Sequence, residues 1–507
     1  MIKSEALIFL INSMSKPEKK AFTMASSGSG KPPDYLIMYQ IIAKDQSITS
    51  ELLRKQFLEW IPGASYDTTV KYLYKWLLDI MLHLREEQDG YYSLYNKILK
   101  ARILFEKSLF KECFGLLHKV IEKARELEHY NALLIASRLE LEYLLFLNLP
   151  DIDEKTLLNK QFAINETLRF IQKVNQQSSL YELLKHRITY KGSVRSEKQK
   201  TELNDLVVSE MSIVASSNLE NFEIKKLHQL FQANYLISVG DHKSALRAYY
   251  ELNSLFENNR HLLANPPVYY LLTLEGVLES LRAIKNYEGM TYFVDQLKKL
   301  DSPSVNFKAN VSCLCFLYEL FPHLDKGNFT SCESVIKKYM ENLFSKISLL
   351  SLPRQAEFNL YTSLVYIGLK DFHKARKSLN QIILIGKNYY NLPLYRTIRL
   401  VNLMLLYEMN ENELIKSETR SIRRDMHDIE KGYRIERIML NFVNKQNLPA
   451  YRQKREELWN RMNPGLEELH NDIFERQVIK IFDFTAWMES KILKIPLSES
   501  LQFKKIL

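Results

Sequence analysis

A short motif recurs along this chain at nearly constant spacing, and it limits the folds that the chain can adopt. In each copy a turn-forming polar residue precedes an aromatic residue or a histidine, and a small or slim residue follows three positions later. The copies are KSLFKEC (107–113), VGDHKSA (239–245), IKNYEGM (284–290), KGNFTSC (326–332) and LKDFHKA (369–375). The aromatic-type positions of the last four, His242, Tyr287, Phe329 and Phe372, are 45, 42 and 43 residues apart. This period predicts stacked helical hairpins, because one hairpin cannot bury its apolar face alone.

The interval before the second copy is longer, but it fits the same period. Phe110 precedes His242 by 132 residues, which is three times 44. We therefore expect two degenerate copies near residues 154 and 198, and one more near Leu414. The residue that opens the second helix of a hairpin must be small so that the first helix can approach it, and the aromatic ring fills the end of the hairpin.

The composition favours long helices over sheets. Glycine and proline number only 14 each among 507 residues, whereas a sheet-rich fold of this size needs many turns. Apolar residues recur at spacings of three and four, without an alternating strand pattern. The longest apolar runs fall short of the ~20 residues that cross a membrane, and the four cysteines lie in apolar helical patterns. We expect an all-α cytoplasmic protein.

Two stretches carry a resemblance to a known repeat family. The first stretch is 230–256, with Ala233, Gly240-Asp241, Ala245 and Tyr249, and the second is 358–379, with Ser363, Tyr366, Phe372 and Ala375. These positions resemble the tetratricopeptide repeat, and the resemblance covers about residues 91–440. The period departs from that family's 34 residues, Met290 and two cysteines replace the alanine, and the repeat-end proline is mostly missing. The resemblance implies a right-handed α-α superhelix of stacked hairpins with longer helices.

The resemblance also implies a binding site. In that family the first helix of each hairpin lines a concave groove that binds an extended or helical peptide. The matching positions here are Arg102, Asn234, Glu275, Glu279, Arg282, Arg399 and Asn402. Arginine and asparagine suit this task because they form paired hydrogen bonds with peptide amides and carboxylates. Ordinary surface polarity is the alternative explanation.

The first 90 residues show a different pattern. Helical periodicity runs over 3–13, 17–25, 34–44, 49–60 and 66–84. The last two segments resemble a helix-turn-helix, with Thr49 or Ser50 capping one helix and Asp67 the other, and LREEQDGYYSL after them could form a small wing. Lys71 and Lys75 lie one helical turn apart and are the candidate contacts to nucleic acid. A helical cap on the repeat is the favoured interpretation, because the second helix carries few basic residues.

Other motifs favour structural roles. Gly30-Lys31, in ASSGSGKPPDY, has Ala25 where a phosphate-binding loop needs glycine and Pro32 where it needs serine or threonine, so we interpret it as a linker. Cys313 and Cys315 do not have zinc-ligand spacing. No nucleophile elbow or zinc-binding histidine pattern occurs. We therefore expect no enzymatic activity, no metal and no cofactor.

Two stretches rich in basic residues each have two possible explanations. Residues 185–200 and 370–399 are rich in lysine and arginine, which is typical of solvated helix faces. Docking of an acidic peptide or a nucleic acid backbone is the functional alternative. Asp153 and Glu154 follow a proline and precede a helix, so we interpret them as acidic residues at a helix start.

The C-terminal region is expected to form a cap. Asn463-Pro464 favours a helix start, after which apolar residues from Leu466 to Trp487 predict one long amphipathic helix that caps the repeat or dimerises. The sequence thus predicts three parts, a helical domain at 1–90, a repeat at 91–440 and a cap at 441–507. It favours a protein- or peptide-binding scaffold, and the alternative is a transcription regulator that binds DNA through its N-terminal domain and senses a peptide with its repeat.

Overall fold

A computed structural model of the chain describes residues 3–26, 32–45, 47–86, 89–150, 152–192, 194–215, 221–392, 394–427, 433–444 and 448–503. Within these ranges the chain is all-α and no strand occurs. It divides into two compact units, residues 1–171 and 172–507. The division into 1–90, 91–440 and 441–507 stays a prediction. The linker interpretation of Gly30-Lys31 falls outside the described residues.

The helices of the first unit follow one another closely along the chain. They are α1 (Lys3–Ser13), α2 (Lys16–Ser26), α3 (Asp34–Lys44), α4 (Ser50–Trp60), α5 (Tyr66–Glu86), α6 (Gly90–Glu106), α7 (Phe110–Glu126), α8 (Tyr130–Phe146) and α9 (Glu154–Lys191), and the boundary between the units falls within α9. The first five bounds agree closely with the predicted helical segments.

The structure confirms one detail of the N-terminal prediction and corrects two others. Thr49 caps α4, since its hydroxyl accepts the backbone N–H of Leu52 at 3.3 Å. Asp67 cannot cap α5, because that helix already begins at Tyr66. The segment expected to form a wing instead continues α5 to Glu86 and then begins α6, where Asp89 accepts the N–H of Tyr91 at 2.8 Å. The capping carboxylate favours a new helix there over a strand.

The second unit continues with helices that pack consecutively. They are α10 (Glu197–Thr201), α11 (Asn204–Ala215), α12 (Phe222–Ser238), α13 (His242–Asn258), α14 (Val268–Ala283), α15 (Tyr287–Lys299), α16 (Val305–Leu324), α17 (Phe329–Tyr339), α18 (Leu352–Gly368), α19 (Phe372–Ile383), α20 (Tyr395–Glu408), α21 (Asn412–His427), α22 (Arg434–Asn444), α23 (Arg452–Asn471), α24 (Ile473–Ile479), α25 (Phe484–Leu493) and α26 (Leu497–Phe503), with short 3₁₀ turns at Arg260–Leu262, Phe344–Leu349 and Gly386–Asn391. We refer to α12–α22 as the hairpin stack and to residues 473–503 as the C-terminal segment.

The recurring motif forms the turn within each hairpin of the stack. One residue per turn adopts a left-handed conformation, namely Gly240, Lys285, Gly327, Lys370 and Asn410, with φ between 59° and 83°. The next residue donates its N–H to the carbonyl five positions back, as Asp241 does to Leu236 at 3.0 Å. This hydrogen bond ends the first helix. The Asp241 carboxylate then accepts the N–H of Ser244 at 3.1 Å and begins the second helix.

The small or slim residue of the motif is buried at the first four of these turns. Ala245, Cys332 and Ala375 are fully buried, and Met290 is 1% exposed. The same explanation covers Cys113 in the first unit, which is also fully buried. The cysteines thus substitute for alanine as compact apolar residues in the core.

Of the two degenerate copies expected near residues 154 and 198, the first repeats this turn. Asn148 has φ 61°, and Leu149 donates its N–H to the Leu144 carbonyl, five positions back, at 2.8 Å. Residues 154–191 form the single helix α9, and residues 197–201 form a five-residue helix. Because α9 contains no proline or glycine, it runs unbroken through the place where the second helix of one hairpin should end and the first helix of the next should begin. The copy near residue 198 is therefore not a hairpin. The expected turn near Leu414 is present, because α21 begins at Asn412.

The expectation of one long C-terminal helix from Pro464 is wrong. That proline lies inside α23, which begins at Arg452, and two aspartates interrupt the chain beyond it. The Asp472 carboxylate accepts two backbone N–H groups at 2.7 and 3.2 Å, and Asp483 accepts two at 3.0 and 3.1 Å. Each aspartate therefore begins a new helix. Asp472 and Glu475 have the spacing of a capping box, a sequence signal that predicts this break.

A substitution at Gly276 tests how closely consecutive helices pack. A Cβ at this position of α14 would lie 2.1 Å from the Tyr249 ring of α13. We expect Gly276→Ala to destabilise the second unit by about 1–3 kcal/mol, because overpacking outweighs the better helix propensity of alanine. The measurement is the midpoint of chemical unfolding. Gly115→Ala is the control, since nothing lies within 4 Å of its Cβ, and an equal effect of both substitutions would contradict the packing argument.

Candidate functional site

Three of the predicted groove residues lie on α14, and each binds a different part of the second unit. Glu275 accepts a hydrogen bond from Arg354 of α18 at 2.6 Å. Glu279 accepts one from Lys480 of the C-terminal segment at 2.9 Å. Arg282 pairs with Asp325, which directly follows α16. The spacing of four and three residues therefore brings these side chains to one surface of the hairpin stack, where their partners belong to the chain itself.

Arg282 makes the densest set of contacts on this surface. Its guanidinium donates to both carboxylate oxygens of Asp325 at 3.0 and 2.8 Å and to the Tyr361 hydroxyl at 3.0 Å. It also reaches the carbonyl oxygen of Ile481 at 3.4 Å. The Phe321 ring lies 3.5 Å from its central carbon, and the side chain is 10% exposed. Arginine is the residue suited to such a site, because its planar fork binds carboxylates in pairs and stacks on rings.

The ion pair of Glu279 also links the stack to the C-terminal segment. Burial alone would raise the pKa of Glu279, but the attraction and hydrogen bond of Lys480, with smaller contributions from His242 and Lys185, lower it to about 2. Glu279 is therefore ionised at neutral pH. Its carboxylate holds Lys480 against α14.

Trp487 anchors the C-terminal segment further along the stack. Its side chain is fully buried, and its ring packs edge-on against Tyr407 and Phe442 with centroids 5.4 and 5.5 Å away. The indole N–H donates to Glu408 at 2.7 Å, and Lys491 donates to the other oxygen of the same carboxylate, also at 2.7 Å. The segment is thus held by an apolar anchor as well as by charges.

Two hairpin turns approach the C-terminal segment closely at a glycine. A Cβ on Gly327 would lie 2.8 Å from the Cα of Ser498, and one on Gly240 would lie 2.7 Å from the Gln477 amide nitrogen. Both glycines also have positive φ. The backbone conformation favours glycine at both positions, and at Gly327 the backbone of Ser498 also leaves no room for a Cβ.

A cavity of about 600 Å³ remains between the hairpin turns and the C-terminal helices. Its stack wall includes His242, Arg282 and Lys285, and its other wall includes Arg476 and Lys480. Apolar side chains line the rest, among them Ile284, Ile473, Ile479, Phe482 and Leu501. This size and mixture are typical of ligand sites in proteins.

His242 is the aromatic-type residue of its motif, and it faces this cavity. Burial is the main reason that the pKa of His242 is lowered to about 4, and Lys480 and Arg476 lower it further, against the opposing effects of Glu279 and Asp241. The imidazole is therefore neutral at pH 7. Among the described residues no group forms a hydrogen bond with its buried Nδ1.

The remaining predicted groove residues do not join this surface. Arg102 is an exposed residue of the first unit. Asn234 is buried and donates to the Leu230 carbonyl of its own helix at 2.8 Å. Arg399 binds Glu418 at 2.8 Å and also Asp425, both on α21. Asn402 is half-buried on α20. Helix periodicity shows which helix face carries each of these residues. It does not show whether that face lines a groove or packs against another helix.

Lys71 and Lys75, the candidate nucleic-acid contacts, are exposed on α5. They lie four residues apart and therefore on one face. Trp76 of the same helix instead packs inward, with its ring centroid 5.1 Å from Phe22 and 4.7 Å from Tyr35. The aromatic residues of α5 thus help to hold the N-terminal helices together.

Several residues of the two basic stretches form ion pairs within the chain. Arg187 binds both oxygens of Asp205, at 2.6 and 2.7 Å. Arg195 contacts Glu475 at 3.2 Å, with 7% of each side chain exposed. In the second stretch Arg376 binds Glu411 at 2.6 Å. Much of the predicted positive surface is therefore neutralised by neighbouring helices.

Sequence reasoning missed the residues that close the cavity. Arg476 and Lys480 belong to no motif, and Lys285 was identified only as part of a turn. Their proximity depends on how the C-terminal segment folds back. His242 was identified only as a structural plug. Glu279 and Lys480 lie 201 residues apart along the chain, so no repeat period in the sequence relates them.

Comparisons of the chain with protein-family models, curated proteins and solved structures find no match. Among the helices in the described ranges, none has the length and apolar character that crossing a membrane requires. Cys313 and Cys315 are buried in α16, and burial raises the pKa of Cys315 to about 12. Over the part of the chain that the structure describes, no group of three or more His, Cys, Asp or Glu side chains could hold a metal ion.

Trp487→Ala tests the docking of the C-terminal segment. We expect a loss of about 3–5 kcal/mol in the stability of the second unit, because the substitution leaves a cavity and removes one of the donors to Glu408. Limited proteolysis should cut residues 473–503 faster than in the parent chain. Trp60→Ala, at a side chain that is 73% exposed, is the control, and equal cleavage of both variants would contradict this role.

His242 gives the second unit a specific response to acid. Its folded pKa of about 4 lies below the usual value of about 6.5, so between these values the unfolded chain binds a proton that the folded chain does not. The contribution of neutral His242 to the free energy of unfolding is complete above about pH 6.5. It falls as the pH decreases towards 4. We expect the parent chain to lose about 2 kcal/mol more than His242→Gln between pH 7.5 and 5. Urea unfolding at both pH values measures this difference, and parallel losses would refute it.

Proposed function

We propose that the second unit is a tetratricopeptide-like superhelix that binds a peptide or a segment of a partner protein. The observation that carries this proposal is the docking of the C-terminal segment, which occupies the surface carrying Glu279 and Arg282. The hairpin stack holds this segment through charge pairs and a backbone carbonyl at α14, and through the buried Trp487 further along. Buried aromatic and arginine anchors of this kind dominate the binding energy of protein interfaces.

The cavity beside this segment is the proposed binding site. Its volume of about 600 Å³ falls in the range of ligand pockets. Three hairpin turns form one wall, so the repeat positions the wall as a rigid unit. A peptide that enters here contacts the stack and the C-terminal segment together. The proposed role is that of a non-enzymatic scaffold.

Filling the cavity tests this proposal. A library of random short peptides is selected on the immobilised full chain, and the binding of enriched peptides is then measured by fluorescence anisotropy. We expect Ala283→Trp to abolish binding, because Ala283 lines the cavity and an indole there occupies the space of the ligand. Circular dichroism establishes that the variant is folded.

Lys377→Trp is the matched control, since this exposed residue of α19 lies outside the cavity. It should bind the selected peptides as the parent chain does. Failure of the selection to enrich any peptide would overturn the proposal. So would peptides that bind Ala283→Trp with unchanged affinity.

A second candidate function rests on the N-terminal helices. Lys71 and Lys75 are exposed one turn apart on α5, which supports a regulator whose first unit contacts DNA phosphates. We expect Lys71→Glu/Lys75→Glu to weaken DNA binding and reduce the slope of log affinity against log salt by about 2. Lys111→Glu/Lys119→Glu, with two exposed lysines of α7, is the control. If both double variants bind DNA like the parent chain, this function is excluded.

A further inference from the structure

The charges of the cavity distinguish one class of peptide from the others. Its lining includes the basic residues Arg282, Lys285, Arg476 and Lys480 and the acidic residues Asp325, Glu467 and Asp483. The three acidic groups already bind donors within the chain. Asp325 holds Arg282, Glu467 accepts from Asn463 at 2.6 Å, and Asp483 caps α25.

Two of the cations remain available. Arg282 is bound to Asp325, and Lys480 is bound to Glu279. Lys285 and Arg476 are exposed, and within the described ranges neither forms an ion pair. The buried Nδ1 of His242, without a hydrogen-bond partner among these residues, adds a third polar group to the same lining. Over the described part of the chain, the cavity therefore has two cations without an ion-pair partner, whereas each of its carboxylates already accepts a hydrogen bond from the chain.

Lys285 and Arg476 come from opposite walls. Lys285 is the left-handed residue of a hairpin turn, with φ 59°, which fixes its backbone at the end of α14. Arg476 lies on α24, in the C-terminal segment. A ligand that binds both side chains connects the stack with the segment.

We propose that the cavity binds an acidic peptide segment, with aspartate or glutamate side chains held by Lys285 and Arg476 and apolar side chains against Ile284 and Phe482. This inference rests on the proposed peptide-binding function and names its ligand class. Carboxylates suit the two cations because charge-assisted hydrogen bonds are stronger than neutral ones. Binding also fastens the C-terminal segment to the stack, since Arg476 belongs to that segment.

Synthetic peptide pools test the ligand class on the full chain. Three pools share length and apolar composition and differ only in their fixed polar residues. These are Asp and Glu in the acidic pool, Asn and Gln in the neutral pool, and Lys and Arg in the basic pool. We expect the acidic pool to bind at least tenfold more tightly than the other two, and its affinity to fall as salt is added. Fluorescence anisotropy measures all three.

Variants of the two cations locate the contact. Arg476→Gln and Lys285→Gln should each lower the affinity for the acidic pool about tenfold. Arg476→Lys should lower it less, because lysine keeps the charge. Lys285→Glu/Arg476→Glu should prefer the basic pool. Lys377→Glu/Arg423→Glu, with two exposed cations outside the cavity, should bind like the parent chain.

The outcomes separate this inference from the proposed function. If no pool binds and the random library yields no peptide, peptide binding itself is wrong. If peptides bind but the neutral or basic pool matches the acidic one, or the cation variants leave the preference unchanged, the acidic-ligand inference is overturned while peptide binding stands.

Discussion

The guanidinium of Arg282 ties the hairpin stack to the C-terminal segment. Its donors are divided among the carboxylate of Asp325, the hydroxyl of Tyr361 and the backbone carbonyl of Ile481, and the Phe321 ring covers its face. A buried cation that loses its partners destabilises a protein by several kcal/mol. The hairpins must therefore place the first two partners correctly, and the segment must then present its carbonyl at one position.

Local chemistry explains why much of the fold could be predicted from the sequence. The turn at Gly240-Asp241 combines a left-handed residue with a capping carboxylate, and both are recognisable in the sequence. The first five helices follow from apolar periodicity in the same way. The long helix α9 was missed because a repeat period is a statistical guide, whereas a helix ends only where a cap or a breaker ends it.

The candidate site depends on contacts that local patterns do not encode. Glu279 and Arg282 were identified on one helix face, but their partners were not. Lys480 and Ile481 reach α14 only because the capping residues Asp472 and Asp483 break the C-terminal helix into short pieces. One unbroken helix could not follow the turns so closely, so the wrong helix prediction and the missed cavity share one cause.

The dependence of α14 on the C-terminal segment has a consequence for biosynthesis. The ribosome makes the chain from its N-terminus, and helices fold as they emerge, so the hairpins form while Glu279 and Arg282 still lack Lys480 and Ile481. During that interval Glu279 on α14 lacks its partner Lys480, and water solvates its carboxylate. Completion of the stack is therefore a late event in which the last helices exclude this water, and the folding of the second unit is coupled to the synthesis of nearly its whole length.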